Sequence, residues 1–598
     1  MASELIASGG LVTYEVKIEG NKIPDKYGVV SIQIEKYVNR ISGAIIVINE
    51  ITGADTQFEV SSSDNFIPGK AIVIDAGYNT KNKTIFKGMV TKQSLKIDAN
   101  LGPILEVECK DAAIQMTVGR KNASYAKGAD SDAITKVIGN YGALTSNVAS
   151  TTPSIPLLQQ YYCSDWDFVL ARAEVNGMLV STINGKVSVF KPDANTESVL
   201  KLAYGNNLLS FSADLNSITQ LGSVKASAWD PKTQKLITGE ASSDLAGPGD
   251  ITSKKLSDTI GLSDYLLQTT ATEEKDDLTN WAKAQIIKSE YSKILGKASC
   301  QGTSLVEPGV YITMASMGIR FNGDHLVSSV RHEIEGGNWT THIGLGLSPI
   351  WFTQGQSDVI APPASGLLPG VQGLFNGTVK KSYDDPDNGF RVLVDLPLFD
   401  ESGDGLWARL LNNYSTDGAG MFFYPEVGDE VIVGFLNDDP RYPVILGSVY
   451  SEKFKPFSDF TPDEKNTKKA IVTKSKLEIE FDDENKIITV TTPGKNSVVL
   501  DDKNKKILIK DQNDNSLEMS DSGIEFKSSK AITIESDKEI SIKGKNGIKL
   551  ESSGGDVEIK GSNIKQEADS AFSAKSSGTA KVQGGSELTL KGAMVKIN

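Results

Sequence analysis

KSSKAITIESDKEISIKGKNGIKLESS, residues 527–553, sets Ile532 and Ile534, then Ile540 and Ile542, then Ile548 and Leu550 in a background of Lys, Glu, Asp and Ser. A strand points alternate residues to opposite faces, so each apolar pair is the inward side of one short strand, and each octad is one strand plus one turn. From Ile524 the inward pairs run Ile524/Phe526, Ile532/Ile534, Ile540/Ile542 and Ile548/Leu550, then Ile564/Gln566, Phe572/Ala574, Ala580/Val582 and Leu588/Leu590, on a spacing of eight or sixteen. One step slips. Around Gly554 and Gly555 the pair moves one residue late, to Val557/Ile559, as glycines permit at an irregular turn. A looser form of the unit lies upstream, with Leu477/Ile479, Ile488/Val490, Val498/Leu500, Ile507/Ile509 and Leu517/Met519 at intervals of seven to eleven residues.

Self-similarity of this kind marks a solenoid or β-helix, in which one unit cannot bury its apolar face and stacking must do so. Two inward residues per strand are too few for a wide single-chain coil. Three chains wound about one axis supply three such walls, with the charged exterior as a solvated surface that blocks edge pairing. The pattern predicts an intertwined trimeric β-helix needle over residues 470–598; a single-chain β-solenoid is the alternative.

At 598 residues the chain is too long for one core. No apolar run reaches the length that spans a bilayer, and MASELIASGGLVTYEVKIEG lacks the basic and apolar regions of a secretory signal. The net charge of −14 repels a phosphate backbone, so nucleic acid is not an expected partner. Cys109, Cys163 and Cys300 are scattered without metal-ligand or disulfide spacing and are expected as buried free thiols.

Residues 366–452 read as a barrel of short strands. PEVGDEVIVGFLNDDPRYPVILG puts a Gly-Asp turn before an alternating strand, Val431/Val433/Phe435, and a Pro-braced turn, Asp438 to Pro443, before the next. A five-stranded OB-fold barrel fits. Its loops carry Asp384, Asp385, Asp387, Asp400, Glu401, Asp404, Asp438 and Asp439, which suits a structural barrel better than a nucleic-acid groove.

The barrel's G-D-E-V-x-V-x-F and D-P-x-x-P turn are followed by steps that end in glycine at Ile542-Lys543-Gly544, Ile559-Lys560-Gly561, Val582-Gln583-Gly584 and Leu590-Lys591-Gly592. This combination resembles VgrG, the spike protein of contractile injection systems such as the type VI secretion system, and is similar to the hub and needle proteins of contractile phage tails. CSDWDFVLARAEVNGMLVSTINGKVSVFKP, residues 163–192, is similar to the hub segment of that family. The resemblance implies a mainly β chain: a first hub β-barrel at 1–110, an α/β hub insertion at 111–205, a second hub β-barrel at 206–360, the OB-fold barrel and the needle. An internal echo agrees with two barrels, since IPGKAIVIDAGYNTKNKTIFKGMVTKQSLKI (67–97) has an echo at EPGVYITMASMGIRFNGDHLVSSVRHEI (307–334): Pro-Gly, a strand, a turn, Phe-x-Gly and another strand. SDAITKVIGNYG and SDWDFVLARAEVNG read as helices, the latter capped by Ser164 with Phe168, Leu170 and Ala171 buried. The Ser/Thr/Asp-rich stretch 235–285 reads as a surface loop or insertion with a helical end at Asn280 to Ile294.

The resemblance further implies a homotrimer seated on a hexameric inner-tube protein, held among baseplate proteins, carrying effectors, and capped by a PAAR-like tip protein. Ala593, Met594, Val595, Lys596, Ile597 and Asn598 are the expected tip-binding residues. Assembly in the bacterial cytoplasm followed by export through the injection machine is the expected route. No catalytic residue, cofactor or metal is expected. RHEIEGG lacks the second histidine of a zinc-protease motif, and His325, His332 and His342 fall on strand positions that suit packing or surface roles. Asp511-Gln512-Asn513-Asp514-Asn515 lacks the sixth-position Gly of a calcium loop and reads as a turn. The competing functions are an envelope-degrading tail-spike enzyme and a β-solenoid surface adhesin.

Overall fold

The computed structural model describes residues 3–4, 10–51, 58–99, 102–399, 403–457, 460 and 462–597, with only the backbone of Ser3 and Glu4. Asn598, Asp400 and Glu401 lie outside the described residues. Two compact units divide the chain at Val449 and Tyr450.

The first unit opens with strands rich in Val, Ile and aromatic residues, whose alternation suits a pleated surface wet on one side. Strands Val29–Tyr37, Gly43–Asn49, Gly102–Lys110, Lys81–Asp98, Ala71–Tyr78 and Val12–Ile18 lie side by side in that order. Ile32, Ile34, Ile46, Ile48, Ile72, Ile74, Leu105 and Val107 fill one core beneath them. A second group is built from Leu200–Ala203, Tyr311–Ala315, Gly323–Glu335, Asn338–Leu345, Ile294–Gln301 and Leu208–Leu215. The two groups form one continuous sheet, because Gly323–Glu335 pairs antiparallel with Val29–Tyr37, from Ser329 opposite Tyr37 to Glu335 opposite Ser31.

The sequence echo is an echo of backbone geometry. Gly69 and Gly309 each follow a proline at φ of 101° and 97°, which only glycine adopts without strain. The Gly69 N–H donates to the Val90 carbonyl and the Gly309 N–H to the Val327 carbonyl, both at 2.8 Å. The return bonds, Val90 N–H to Lys70 and Val327 N–H to Val310, match as well. Across the seam the Lys36 ammonium, almost fully buried, donates to Glu307 Oε1 at 2.6 Å and ties one half to the other.

Two excursions interrupt the sheet. In the first, Ser164 caps helix Asp165–Val175 by accepting from the Asp167 N–H at 3.1 Å. Phe168 and Leu170 are buried there, whereas Ala171 is only half-buried; Val169 and Ala173 complete the face. The second excursion leaves and returns where Leu215 pairs with Ile294. Of the two readings of 235–285, surface loop or insertion, the structure has the insertion. Lys235–Ser242, Ser223–Asp230 and Tyr265–Thr269 form a three-stranded sheet, and helix Lys275–Tyr291 packs Leu278, Ala282 and Ile286 onto Val224, Ala226 and Ala228. The close approach rests on Gly239, where a Cβ would meet the Thr279 nitrogen at 2.3 Å. In Lys235–Ser242 and Tyr265–Thr269 the apolar residues stand side by side, Leu236 with Ile237 and Leu266 with Leu267, instead of alternating, so the strand pattern is weak in the sequence.

Further on, Phe375–Lys381, Arg391–Asp395, Leu406–Leu410, Pro443–Ser448 and Glu430–Phe435 close into a five-stranded barrel, the last of these pairing back to the first. Val431 and Val433 are fully buried with Val379, Val392, Val394, Ala408 and Ile445, and Phe435 packs partly buried against them. Asp439, also buried, accepts from the Arg441 N–H at 3.0 Å and holds the Pro-braced turn. The fold is thus mainly β, as the alternation predicts.

Candidate functional site

In the second unit, strands begin at Lys468, Glu478, Ile487, Ser497, Lys506, Ser516 and Gly523 and form a seven-stranded antiparallel meander, each paired to the next. The irregular spacing seen in the sequence is an alternation of ten- and nine-residue steps. Five-residue loops (473–477, 492–496 and 511–515) close one end, and four-residue loops (483–486 and 502–505) the other. The five-residue loops share one geometry. Thr473, Thr492 and Asp511 donate their N–H to the carbonyls of Leu477, Asn496 and Asn515, and the fourth residue, Lys476, Lys495 or Asp514, takes φ near +65°. The four-residue loops are pinned by Asp482 and Asp501, whose carboxylates accept from the N–H and side-chain amide of Asn485 and Asn504. Asp511 is engaged in the same way by Asn513 and Asn515, which makes this loop a turn.

Register then fixes what shares a face. Ile471, Ile479, Val490, Val498, Ile509, Leu517 and Phe526 are successive cross-strand partners and form one apolar column. Phe481, Ile488, Leu500, Ile507, Met519 and Ile524 form a second. One inward pair differs from the expected one: the strand at Glu478–Asp482 presents Ile479 and Phe481, while Leu477 lies in the preceding loop. The longer five-residue loop consumes Leu477 and shifts the pair by two. Apart from Leu517, every member of both columns is between 38% and 67% exposed, so this apolar sheet face lies bare on the single chain.

The last hairpin of the meander closes through a two-residue turn, Asp521 and Ser522, and after its final strand, Gly523–Lys527, the octads follow. Among the described residues from 528 to 597 there is no strand and no hydrogen bond between backbone groups. Ile532, Ile534, Ile540, Ile542, Ile548, Leu550, Val557, Ile559, Leu588 and Leu590 are all at least half exposed. At two of the steps ending in glycine the turn is too tight for any side chain: a Cβ on Gly544 would stand 2.3 Å from the Gly547 carbonyl oxygen, and one on Gly584 2.1 Å from that of Glu587. At Gly561 and Gly592 the nearest atoms are 3.6 and 3.5 Å away, so glycine is not sterically required there. Ala593, Met594, Val595, Lys596 and Ile597 are exposed.

Backbone N–H and carbonyl groups are obligatory hydrogen-bonding groups, and a long extended segment satisfies them with a partner strand or with water. Here the octads keep side chains in phase for burial while their own chain supplies no ladder.

The titratable groups of the first unit are packing elements. His325 and His332 are buried, on strand positions facing Ile312 and Thr341, while His342 is exposed and paired with Glu333. Burial, with the Lys36 charge nearby, pushes His332 down to about 3, and its Nδ1 faces Thr341 Oγ1 at 3.1 Å. Cys109 and Cys300 are buried thiols, each pushed up to about 12 by desolvation, and Cys163 is half-buried.

Comparison with known proteins places these parts. Residues 375–450, the closed barrel, match the family described as the type VI secretion system/phage-baseplate injector OB domain. Residues 8–336 match the family described as the Alg8 N-terminal domain. No curated protein matches the chain. Solved structures with a similar course include the 43 kDa tail protein of prophage MuSo2 from Shewanella oneidensis, at 12% identity over 56% of this chain and 98% of that one, with a TM-score of 0.44. The E. coli c3393 protein, a component of the type VI secretion system, is similar at 14% identity over 73% of this chain and 100% of that one, with a TM-score of 0.36. A chain of the Francisella PdpA–VgrG complex is similar at 11% identity over 87% of this chain and 81% of that one, with a TM-score of 0.35. Because the match over residues 8–336 spans more than half of the chain, the chain belongs to the family described as the Alg8 N-terminal domain, and its closed barrel matches the type VI secretion system/phage-baseplate injector OB domain.

Proposed function

We propose that this chain is the homotrimeric spike of a contractile injection system, a structural part that caps an inner tube and is driven through a target envelope. The observation that carries the proposal is the second unit: two apolar columns bare across seven strands, followed by octads without a backbone ladder of their own. Three such chains around one axis would bury the columns against each other and pair the octads between chains. The injector OB domain upstream supports the same assignment.

The mechanism is transmission of force. An intertwined needle resists axial load because no strand can peel away without breaking hydrogen bonds to two other chains and exposing the isoleucines of the axis. The duplicated halves of the hub suit a seat on a sixfold tube, since three chains with two equivalent halves present six similar surfaces. Met594, Val595 and Ile597 form an exposed apolar surface that a PAAR-like tip protein would cover. Baseplate proteins and effectors are the remaining partners, and the spike leaves the bacterial cytoplasm with the machine that fires it.

The test is the solution mass by light scattering of the full chain and of a chain shortened after residue 469. A trimer that becomes a monomer on shortening supports the spike. A monomeric full chain would make the octads a single-chain solenoid and return the adhesin.

A further inference from the structure

The octads repeat so closely that they do not define their own alignment. A chain displaced by eight residues relative to its neighbour still sets Ile540 and Ile542 where Ile532 and Ile534, or Ile548 and Leu550, would stand. Such a slip keeps every inward side chain inward, so the apolar pattern discriminates weakly against it. Yet a needle that bears load and presents one tip needs its three chains level.

The meander above the octads has what they lack. Its seven strands pair within one chain, through loops of five, four and two residues, so its sheet can form before any other chain arrives. Its columns are uneven, running from Ile471 through Val490 and Val498 to Phe526, and its loops differ at the two ends. A copy displaced by one strand would leave a strand unmatched at each end and set strands of opposite direction at the same level. The last strand, Gly523–Lys527, held by its pairing to Ser516–Ser520, then delivers each chain into the first octad in one fixed phase.

Resting on the trimeric reading above, we infer that the apolar face of the meander, residues 468–527, binds the same face of two further copies and sets the register in which the octads of the three chains intertwine. The occupant of the bare face is a second copy of this chain, because the face runs directly into the segment whose backbone has no partner in its own chain. The glycine step at Gly554 and Gly555 is the rival register mark, and it lies below the meander.

The inference is tested by mixing two lengths of full chain. Both carry Cys163→Ser, which removes the only thiol that is not fully buried, and Ala580→Cys at an inward octad position. One of them also lacks residues 537–544, a single octad above the glycine step. Each length alone should be a trimer by light scattering and should form disulfide-linked dimers on mild oxidation. The two are then co-expressed with different affinity tags. If the meander sets the register, mixed trimers form but their cysteines stand one rung apart, and disulfides join only chains of equal length. The same result from two lengths that both begin at residue 468 assigns the register to the meander, and its loss there assigns it to the hub or barrel and overturns the inference. Disulfides between unequal lengths would mean that the octads or the glycine step align the chains, and would overturn the inference. Failure of the two lengths to mix would overturn it too, by placing register in the whole octad array. Trimers of a single length without any disulfide would show the chains out of level and have the same effect. A monomeric single-length chain would instead sink the trimeric reading itself.

Discussion

Ile540→Asp is the sharpest perturbation of the proposed assembly, because one substitution places three carboxylates at one level of the axis. In the single chain Ile540 is 50% exposed, so about half of its surface remains to be buried when the chains meet. Full burial of such a side chain is worth about 1.5–3 kcal/mol, which makes the lost apolar contribution about 1 kcal/mol per chain. The charge matters more. Taking an unpaired carboxylate out of water costs several kcal/mol, and three copies a few ångströms apart repel one another, for a total on the order of 10 kcal/mol per trimer. The variant should not form a trimer that survives SDS and moderate heating, whereas Ile540→Val, at about 1 kcal/mol per chain, should. Burial and mutual repulsion raise the carboxyl pKa, so acidification should restore assembly in part as the groups are neutralised. Light scattering at neutral and acidic pH, with gel mobility in SDS, checks both statements. A heat- and SDS-resistant trimer of Ile540→Asp at neutral pH would refute the placement of this residue on a shared axis.

Gly584→Ala forces a Cβ against the Glu587 carbonyl and should destabilise its rung by about 1–3 kcal/mol per chain, visible as a lower unfolding temperature, while Gly561→Ala should have no measurable effect. His332 is held neutral by burial, with its folded value near 3. The unfolded chain therefore takes up the proton first as pH falls below about 6.5, so this group's contribution is intact above that pH and is lost progressively towards pH 3, amounting to about 2 kcal/mol at pH 5. Denaturant titrations across this range should show that slope, and His332→Gln should flatten it. Lys36→Ala leaves the Glu307 carboxylate at the seam of the two sheet halves without its partner; with Glu307 a quarter exposed, the expected cost is about 2–3 kcal/mol, and Lys36→Ala with Glu307→Gln should recover part of it.

Much of the architecture is legible in the sequence because its units are local. The octad pairs, the alternation of Val431 and Val433, the Ser164 cap and the Pro-Gly echo are each carried by a few neighbouring residues, and strand period or turn chemistry decodes them directly. The needle residues follow from period alone, and the structure exposes them all, with Ile524 and Phe526 on the last paired strand and those from Ile532 onward without a ladder from their own chain. Where the sequence misled, a distance in the fold was responsible. Leu477 reads as an inward residue because its spacing to Ile479 is right, but whether a five-residue loop takes it up depends on how the next hairpin closes. The stretch 235–285 reads as a surface loop or insertion because its apolar residues do not alternate among the Ser, Thr and Asp, and its strands join a sheet with Ser223–Asp230 that helix Lys275–Tyr291 covers through the gap at Gly239.

The sequence by itself determined the periodicities: which residues share a face, where turns fall, and that an apolar stripe runs through a charged exterior. Only the tertiary structure decided which strands are neighbours. It joined the two hub halves through Gly323–Glu335 and Val29–Tyr37, and brought Lys36 to Glu307 across 271 positions of chain. It also drew the boundary at which pairing within the chain stops, after Lys527. The physical reason is the same in each case. Side-chain direction follows from local backbone sterics, which every residue carries with it, whereas hydrogen-bonded pairing joins groups remote in sequence and is chosen by the whole set of surfaces that must be buried together.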